Sequence, residues 1–397
     1  MKKFLTMGSL SYLLIGLAHV VAGSVMPELL RHYGLPYEAG GALIFSQFAG
    51  FLLGVLVTPA VLTVAGPRKT LVLAAGLLTA AEITYTVLPP WGVMLAAAPV
   101  AGVGFGTIEA VIGALVISST GEKRAVYMSR LEVFFGIGAL VIPILAGICI
   151  WLGFWNTSFL TVGGLSLLLA ILWARLSFGE LDAALARKPK TVPEPGQETG
   201  YRGKALVYFS LFVAFFFLYV GLEMSLVNFF PSILLEKFSM ESAGASVSVT
   251  LFWLAMAVGR IFAGTLSMRV GYGKYLVWGC AGTLLCLAGL RLAPYYGLTF
   301  GFLMLAGLAM AGLFSIALVY ASHLLPGREE RTTSLLIGAG GLGGAVLPLL
   351  TGWSMDHWKV FGTQSLLAAV SLLLILMVGA ALVMERAGRT VRTERTG

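Results

Sequence analysis

Shifting the chain by 205 residues, without a gap, lays its second half onto its first. Leu13, Gly16 and Leu17 fall on Leu218, Gly221 and Leu222; Gly54 falls on Gly259; Gly66, Lys69, Leu71 and Val72 fall on Gly271, Lys274, Leu276 and Val277. The densest stretch is Gly136, Gly138, Val141, Pro143, Leu145 and Gly147, which meets Gly341, Gly343, Val346, Pro348, Leu350 and Gly352. Scattered glycines match by chance in a glycine-rich chain, but a shared G-x-G-x-x-V-x-P-x-L-x-G order does not. A duplicated unit read in one direction restricts the fold to two like halves. If each half crosses a membrane an even number of times, an axis along the membrane normal relates them.

Hydropathy says that the halves are membrane-embedded. With 11% charged residues and a mean hydropathy of +0.92, the chain is far more apolar than a water-soluble core requires. A span needs about 20 apolar residues, and twelve such stretches are present, near 4–29, 39–64, 70–89, 93–117, 130–152, 155–176, 205–233, 244–267, 275–293, 297–324, 332–353 and 363–384. The expected fold is therefore all-α: a polytopic membrane protein of 12 transmembrane helices in two parallel-repeat six-helix bundles. Residues 1–178 form the first bundle, 179–203 a cytoplasmic linker and 204–397 the second bundle with a basic cytoplasmic tail.

Positive residues are retained on the cytoplasmic side. With the N-terminus inside, 21 of the 26 Lys and Arg fall there; Arg31, Lys237, Arg291 and Lys359 fall outside, and Arg260 lies within a span. Shifting the count by one helix would scramble that alternation, so both termini are expected in the cytoplasm of a cell whose plasma membrane holds the chain. The net charge of +8 then reflects retention and anionic inner-leaflet lipid, with no nucleic acid required. The MKK start leads into an apolar run of more than 20 residues without a small-residue cleavage site, which reads as a first span and not a removed signal. Cys149, Cys280 and Cys286 sit in apolar stretches without metal-ligand spacing, so no metal, cofactor or disulfide is indicated. The linker, polar and Pro-containing, reads as a solvated tether with room for a short helix over Leu181–Arg187.

An ionisable side chain inside a span costs about 2.5–3.5 kcal/mol on insertion scales, so each one calls for a partner, water or a proton. Glu109 is the leading candidate for proton coupling. Gly102, Gly106 and Gly113 stand on its helical face, and so small a face either admits a neighbouring helix or widens a cavity beside the acid. A carboxyl held away from water is a usable proton carrier; the alternative is a protonated acid bonded to nearby backbone. Glu132, close to Arg130, is a second proton-coupling candidate or a structural ion pair. Arg260 either snorkels or neutralises Glu109 or Glu132 in gating. His19 and Glu223 lie on spans that correspond under the repeat and at similar depth, which allows a His–Glu pair that binds substrate, moves a proton or closes an outer gate. Tyr12 and Tyr219 share their faces. Gln47, Asn228, Ser315 and Tyr320 add hydrogen-bonding groups for a polar ligand. Glu82 reads as structural, and Pro143 and Pro348 as paired bends.

Twelve spans in two halves with a basic central loop resemble the major facilitator superfamily. Ala101–Gly113, A-G-V-G-F-G-T-I-E-A-V-I-G, is similar to the G-x-G-x-x-E-x-x-x-N segment of its fucose/galactose/glucose–proton symporter family, with Glu109 in the place of the acid and Gly113 in the place of the Asn. Ser129–Pro143 resembles that family's fifth helix and Trp253–Arg260 its eighth. The superfamily's loop signature survives as Gly66, Arg68 and Lys69 and again as Gly264, Arg269, Gly271 and Lys274, with Met268 at the position of its Asp. The resemblance implies a transporter and not an enzyme: alternating access about a central site, driven by protons, taking up a sugar or similar small polar solute, with the chain a functional monomer among membrane lipids. Few intramembrane amides and abundant Phe and Met also fit proton-driven export of drugs or amphiphiles. A non-transporting receptor or lipid-binding scaffold of the same shape is a third reading.

Overall fold

The computed structural model of the chain describes residues 2–119, 124–179, 182, 185, 201–325 and 329–394. Among them all regular structure is helical: α1 (Lys2–Ser24), α2 (Met26–Tyr33), α3 (Tyr37–Ala65), α4 (Pro67–Thr86), α5 (Trp91–Ser119), α6 (Arg124–Trp151), α7 (Thr157–Arg175), α8 (Lys204–Phe238), α9 (Ser242–Val270), α10 (Tyr272–Leu292), α11 (Tyr296–Met310), α12 (Leu313–Leu324), α13 (Glu329–His357) and α14 (Lys359–Glu394). Of the short helix expected over Leu181–Arg187 only residues 182 and 185 are described, and most of the linker lies outside the described residues.

Among the described residues eleven helical segments are long and apolar enough to cross a membrane. The twelfth expected span is α4, which has 20 residues but carries Arg68, Lys69, four threonines and Glu82. It is a span of lower hydropathy, half of it buried, with Leu71, Ala74, Ala75, Leu78, Ala81, Glu82 and Tyr85 covered by protein. Leu73, Leu77 and Ile83 of α4, like Leu53, Leu56 and Val64 of α3 and Ile261, Phe262 and Leu266 of α9, are exposed, as lipid-facing positions must be.

Two of the expected spans are interrupted. The first ends at Ser24 and gives way to α2, whose first turn holds Pro27 and which Gly34 closes in the left-handed conformation (φ 62°). Its Glu28 and Arg31 pair at 2.9 Å, so α2 is amphipathic rather than a continuation of the apolar run. The span expected over 297–324 breaks at Ala311 and Gly312, the latter at φ 75°.

The helices pack as two compact units. Unit 1 comprises Met1–Gly196 and Val227–Thr250, unit 2 comprises Gln197–Leu226 and Leu251–Gly397. Inside each, close crossings are made by glycines, since helices without a hydrophobic driving force between them gain from backbone approach. In unit 1, a methyl on Gly16 would collide with the Phe135 carbonyl and one on Gly138 with the Leu13 carbonyl, which locks α1 to α6. In unit 2, Gly343 stands the same way against the Phe217 carbonyl, and a methyl on Gly221 would lie 2.8 Å from the Gly343 carbonyl, which locks α8 to α13. Gly102 meets the Gln47 carbonyl and Gly307 the Phe252 carbonyl, both pairs related by the 205-residue shift. Even where the glycine changes sides the crossing is kept: Gly104 on the Ala74 carbonyl in unit 1, Gly279 on the Ala309 carbonyl in unit 2.

One residue of this packing works against stability. Glu82 is fully buried on the α4 face that meets Gly163 of α7, and neither carboxyl oxygen has a hydrogen-bond partner among the described residues. The repeat places Leu287 at the same position of α10, also buried. An unpartnered polar group costs roughly 1–3 kcal/mol. Glu82→Leu is therefore expected to raise the thermal midpoint of the purified protein; a lower midpoint would mean that the carboxyl has a partner that Leu removes.

Candidate functional site

In unit 1 the polar groups gather where α1, α5 and α6 face one another. Glu109 is half-buried on α5 and Glu132 exposed on α6; the two carboxyls and the buried Tyr12 hydroxyl of α1 lie within electrostatic reach of one another. The small face of α5 does two things at different heights. Gly102 and Gly106 admit α3 against the Gln47 and Phe51 carbonyls, whereas Gly113 leaves room: a methyl there would meet only the Tyr12 hydroxyl, at 3.5 Å, and Met128 Cε, at 4.0 Å. The residue that replaces the expected Asn thus opens space beside Tyr12, one turn from the acid.

His19 is buried in an aromatic cage. Phe105 lies 4.4 Å away, Phe135 5.3 Å, Phe48 5.4 Å and Phe51 5.7 Å between ring centroids, and Nδ1 sits 3.0 Å from the Ile15 carbonyl. Nearby, Gln47 donates from Nε2 to the Ala18 carbonyl at 3.2 Å. The four phenylalanines were not among the expected site residues, although Phe51 follows Gln47 by one helical turn.

Unit 2 carries its own cluster, at positions that the repeat does not relate to the first. Glu109, Tyr12 and Glu132 correspond to Phe314, Phe217 and Ile337; Tyr219, Glu223 and Arg260 correspond to Leu14, Ala18 and Val55. Tyr219 is hydrogen-bonded with Glu223 and lies within electrostatic reach of Arg260, which also donates to Met256 Sδ at 3.3 Å. Beside them the helix break between α11 and α12 frees carbonyls that two phenols take up: Tyr219 donates to Met310 O at 3.1 Å and Tyr275 to Ala311 O at 2.6 Å. Broken helices persist in membranes where such groups are satisfied by protein. Tyr275 escaped the sequence reading; the Ala-Gly step at 311–312 was its one signal. Ser315 is exposed and bonds the Gly312 carbonyl at 3.2 Å. Tyr320 lies at the far end of α12, donating to Glu385 at 2.6 Å.

Asn228 belongs to the part of α8 that packs in unit 1. A methyl on Gly23 of α1 would meet its Oδ1 at 2.5 Å. Next to it the first half of α9 is held on α6: Ser246 donates to the Pro143 carbonyl at 3.1 Å and Thr250 to the Leu140 carbonyl at 3.0 Å. Gly147 is packed against Ala243 and Val247, and Tyr37 donates to Glu236 at 2.8 Å. The stretch of α6 around Pro143 is thus a docking point for hydroxyls.

Past the end of α7, Arg68 donates to the Leu176 carbonyl at 2.7 Å and to Asp182 at 2.6 Å, its guanidinium 5.5 Å from the Phe178 ring. The Ser177 hydroxyl first, then the Phe178 N–H and Arg68, hold the Asp182 carboxyl below the usual carboxylate range. A depressed carboxyl stabilises the fold above its unfolded pKa, about 3.9, and that contribution is lost as the pH falls through the lower folded value. Amide protection at Phe178 and Gly179 is therefore expected to hold at neutral pH and to fall only in acid below about pH 4. Asp182→Asn should lower it severalfold at neutral pH as well; hydrogen exchange reads both.

Known proteins match this chain over nearly all of its length. The sequence fits the Major Facilitator Superfamily at residues 8–226 and again at 207–397, one match per repeat. The glucose/mannose transporter GlcP of Bacillus subtilis (strain 168) is 31% identical over 364 residues, 91% of this chain and 90% of that protein. The fosmidomycin resistance protein of Escherichia coli (strain K12) is 26% identical over 72% of this chain and 70% of its own. Among solved structures a D-xylose-proton symporter superposes with a TM-score of 0.77 at 14% identity, covering 94% of this chain and 96% of its own, a likeness of fold. Two tandem matches, a relative that runs almost end to end and a repeat visible in the helix crossings themselves agree: the chain is a multi-pass membrane protein that belongs to the major facilitator superfamily.

Proposed function

We propose that this protein takes up a sugar together with protons by alternating access in the plasma membrane, with both termini in the cytoplasm. The observation that carries the reading is the relative named a glucose/mannose transporter, matched over nine-tenths of both chains; the acid pair of unit 1 supports the coupling. Glu109 is the proton-coupling residue in this reading, and Tyr12, in the space that Gly113 leaves, offers a hydroxyl to the substrate. Two carboxylates within reach repel when both are charged, so a proton taken up by Glu109 relieves the repulsion from Glu132. A charge that is cheap to bury only when neutralised gives the protonated form easier passage between the two openings. Glu223 and Arg260 supply the polar groups of unit 2, with Tyr219 anchoring the broken helix beside them. His19, Gln47, Asn228 and Ser315 complete the polar set, and the chain works as a monomer.

The fosmidomycin resistance relative favours a second reading, proton-driven export. Proteoliposomes with an imposed pH gradient separate the two. Glucose, mannose or xylose entering with protons, read as alkalinisation of the outer medium, supports uptake. Fosmidomycin or dye leaving in exchange for protons, with no sugar flux, would replace it.

A further inference from the structure

We infer that the opening at Gly113 is a specificity subsite that receives the exocyclic hydroxymethyl group of a hexose, and so selects hexoses over pentoses. The inference rests on the sugar-uptake reading above. Gly113 is buried on α5, yet a methyl on it would touch only the Tyr12 hydroxyl at 3.5 Å and Met128 Cε at 4.0 Å, both ordinary contacts. The other glycines of that face have no such room: Gly102 is closed by the Gln47 carbonyl and Gly106 by the Phe51 carbonyl. One turn before Tyr12 on α1, Gly8 already packs on Ile112 and Leu131, at 3.3 and 3.5 Å for a methyl there, which bounds the opening. The space beside Gly113 therefore suits one small group.

Its two walls differ in kind. Tyr12 is 3% exposed, and its hydroxyl, aimed at the opening, makes no hydrogen bond with the described residues. An enclosed hydroxyl is costly to leave unbonded, and a substrate oxygen would satisfy it. The other wall is the Met128 methyl, a soft apolar surface. A group that suits both brings a carbon for the thioether side and an oxygen for the phenol. Hydroxyls set directly on a pyranose ring offer oxygen alone, whereas the hydroxymethyl group of an aldohexose offers a CH₂ and an OH; an aldopentose lacks it. Gly113 and Glu109 stand one turn apart on α5, about 5–6 Å between Cβ positions at that spacing. A ring beside the acid can thus extend its side arm into the opening. The repeat has Leu318 and Phe217 at the corresponding positions of unit 2, so the subsite belongs to unit 1 alone.

Proton-driven uptake of glucose, 6-deoxyglucose and xylose into proteoliposomes tests the subsite. The wild type is expected to prefer glucose over xylose at least about tenfold in kcat/KM, the discrimination that one seated carbon group gives. Gly113→Ala puts a carbon where the hydroxymethyl carbon would sit, with no contact under 3.5 Å to strain the fold. The preference should then fall to within about threefold, chiefly through the KM for glucose. Tyr12→Phe removes the partner of the terminal oxygen. Glucose should exceed 6-deoxyglucose severalfold in the wild type and not in Tyr12→Phe, a pairwise coupling that a merely structural tyrosine would not show. Gly136→Ala, where nothing lies within 4 Å of the added methyl, should keep the wild-type preference. Equal use of glucose and xylose by the wild type, a preference unmoved by Gly113→Ala, or an equal loss in Gly136→Ala overturns the subsite while sugar uptake stands. Absence of any proton-linked sugar entry overturns the uptake reading and the subsite with it.

Discussion

Gly138→Ala is expected to cripple the fold, while Gly136→Ala, two residues earlier on the same helix, is expected to leave it intact or improve it. A methyl on Gly138 runs into the Leu13 carbonyl and comes within 2.9 Å of Leu17 N, whereas nothing lies within 4 Å of one on Gly136. The obstacle at 138 is backbone on both sides of the crossing, which no rotamer change relieves. Overpacking of this kind costs about 1–3 kcal/mol or more, a large share of a stability of about 5–15 kcal/mol. Loss of roughly 5–10 °C in thermal midpoint follows for a unit of this size. At Gly136, replacing a helical glycine gains about 0.5–1 kcal/mol. Gly343→Ala, at the Phe217 carbonyl, should behave as Gly138→Ala does. The readout is a thermal midpoint by fluorescence-detected size exclusion. Equal tolerance at 136 and 138 would mean that the helices do not cross where the repeat puts them.

That contrast marks what was legible in the sequence. The G-x-G stretch that revealed the duplication records two different constraints: Gly138 and Gly343 are needed for backbone approach, Gly136 is not. Spacing locates glycines but says nothing of what stands opposite them. The partners of those glycines emerge only from the packing, where Gly102 on Gln47 and Gly307 on Phe252 follow the same shift. The break at Gly312 was not legible, since the corresponding residue in the first repeat is Thr107 and α5 runs through it unbroken. The span over α4 was legible near 70–89 despite the threonines, basic residues and acid that lower its hydropathy, but the packing of Glu82 against Gly163 was not. Long-range hydrogen bonds such as Ser246 to Pro143 and Tyr275 to Ala311 leave no period in a sequence at all.

The candidate site was legible in its residue types and less so in their company. Glu109 was conspicuous because an acid in a span is rare, whereas the small face around it left open whether a helix or a space stands beside Gly113. The neighbours of Glu109 could not be foreseen: Tyr12 and Glu132 join it through tertiary packing, and His19 proves to be ringed by four phenylalanines. The two clusters also show how a symmetric fold acquires a chemical direction. The repeat supplies equivalent helices, yet the acids occupy positions where the other half has Phe, Ile, Leu or Ala. Duplication built the scaffold, and later divergence placed the charges.

If Glu109 carries the coupled proton, Glu109→Gln is expected to abolish accumulation while leaving exchange. For one proton per sugar, a pH difference of one unit is worth about 1.4 kcal/mol and sustains about tenfold accumulation. The amide keeps the size and hydrogen-bonding capacity of the acid but holds no titratable proton, so the variant should equilibrate sugar to a ratio of about one. Counterflow of labelled sugar, which requires binding and passage but no net proton movement, should persist. Glu132→Gln removes the neighbouring charge and leaves Glu109 titratable, so accumulation should be retained. A merely structural Glu109 would give a different pattern: exchange and accumulation falling together, with less folded protein. Undiminished accumulation in Glu109→Gln would move the coupled proton elsewhere, with Glu223 the next acid to replace, because in unit 2 it is held by Tyr219 beside a broken helix and within reach of Arg260. The ratio of accumulation to counterflow, measured on the same vesicles, therefore assigns the proton whatever the absolute rates.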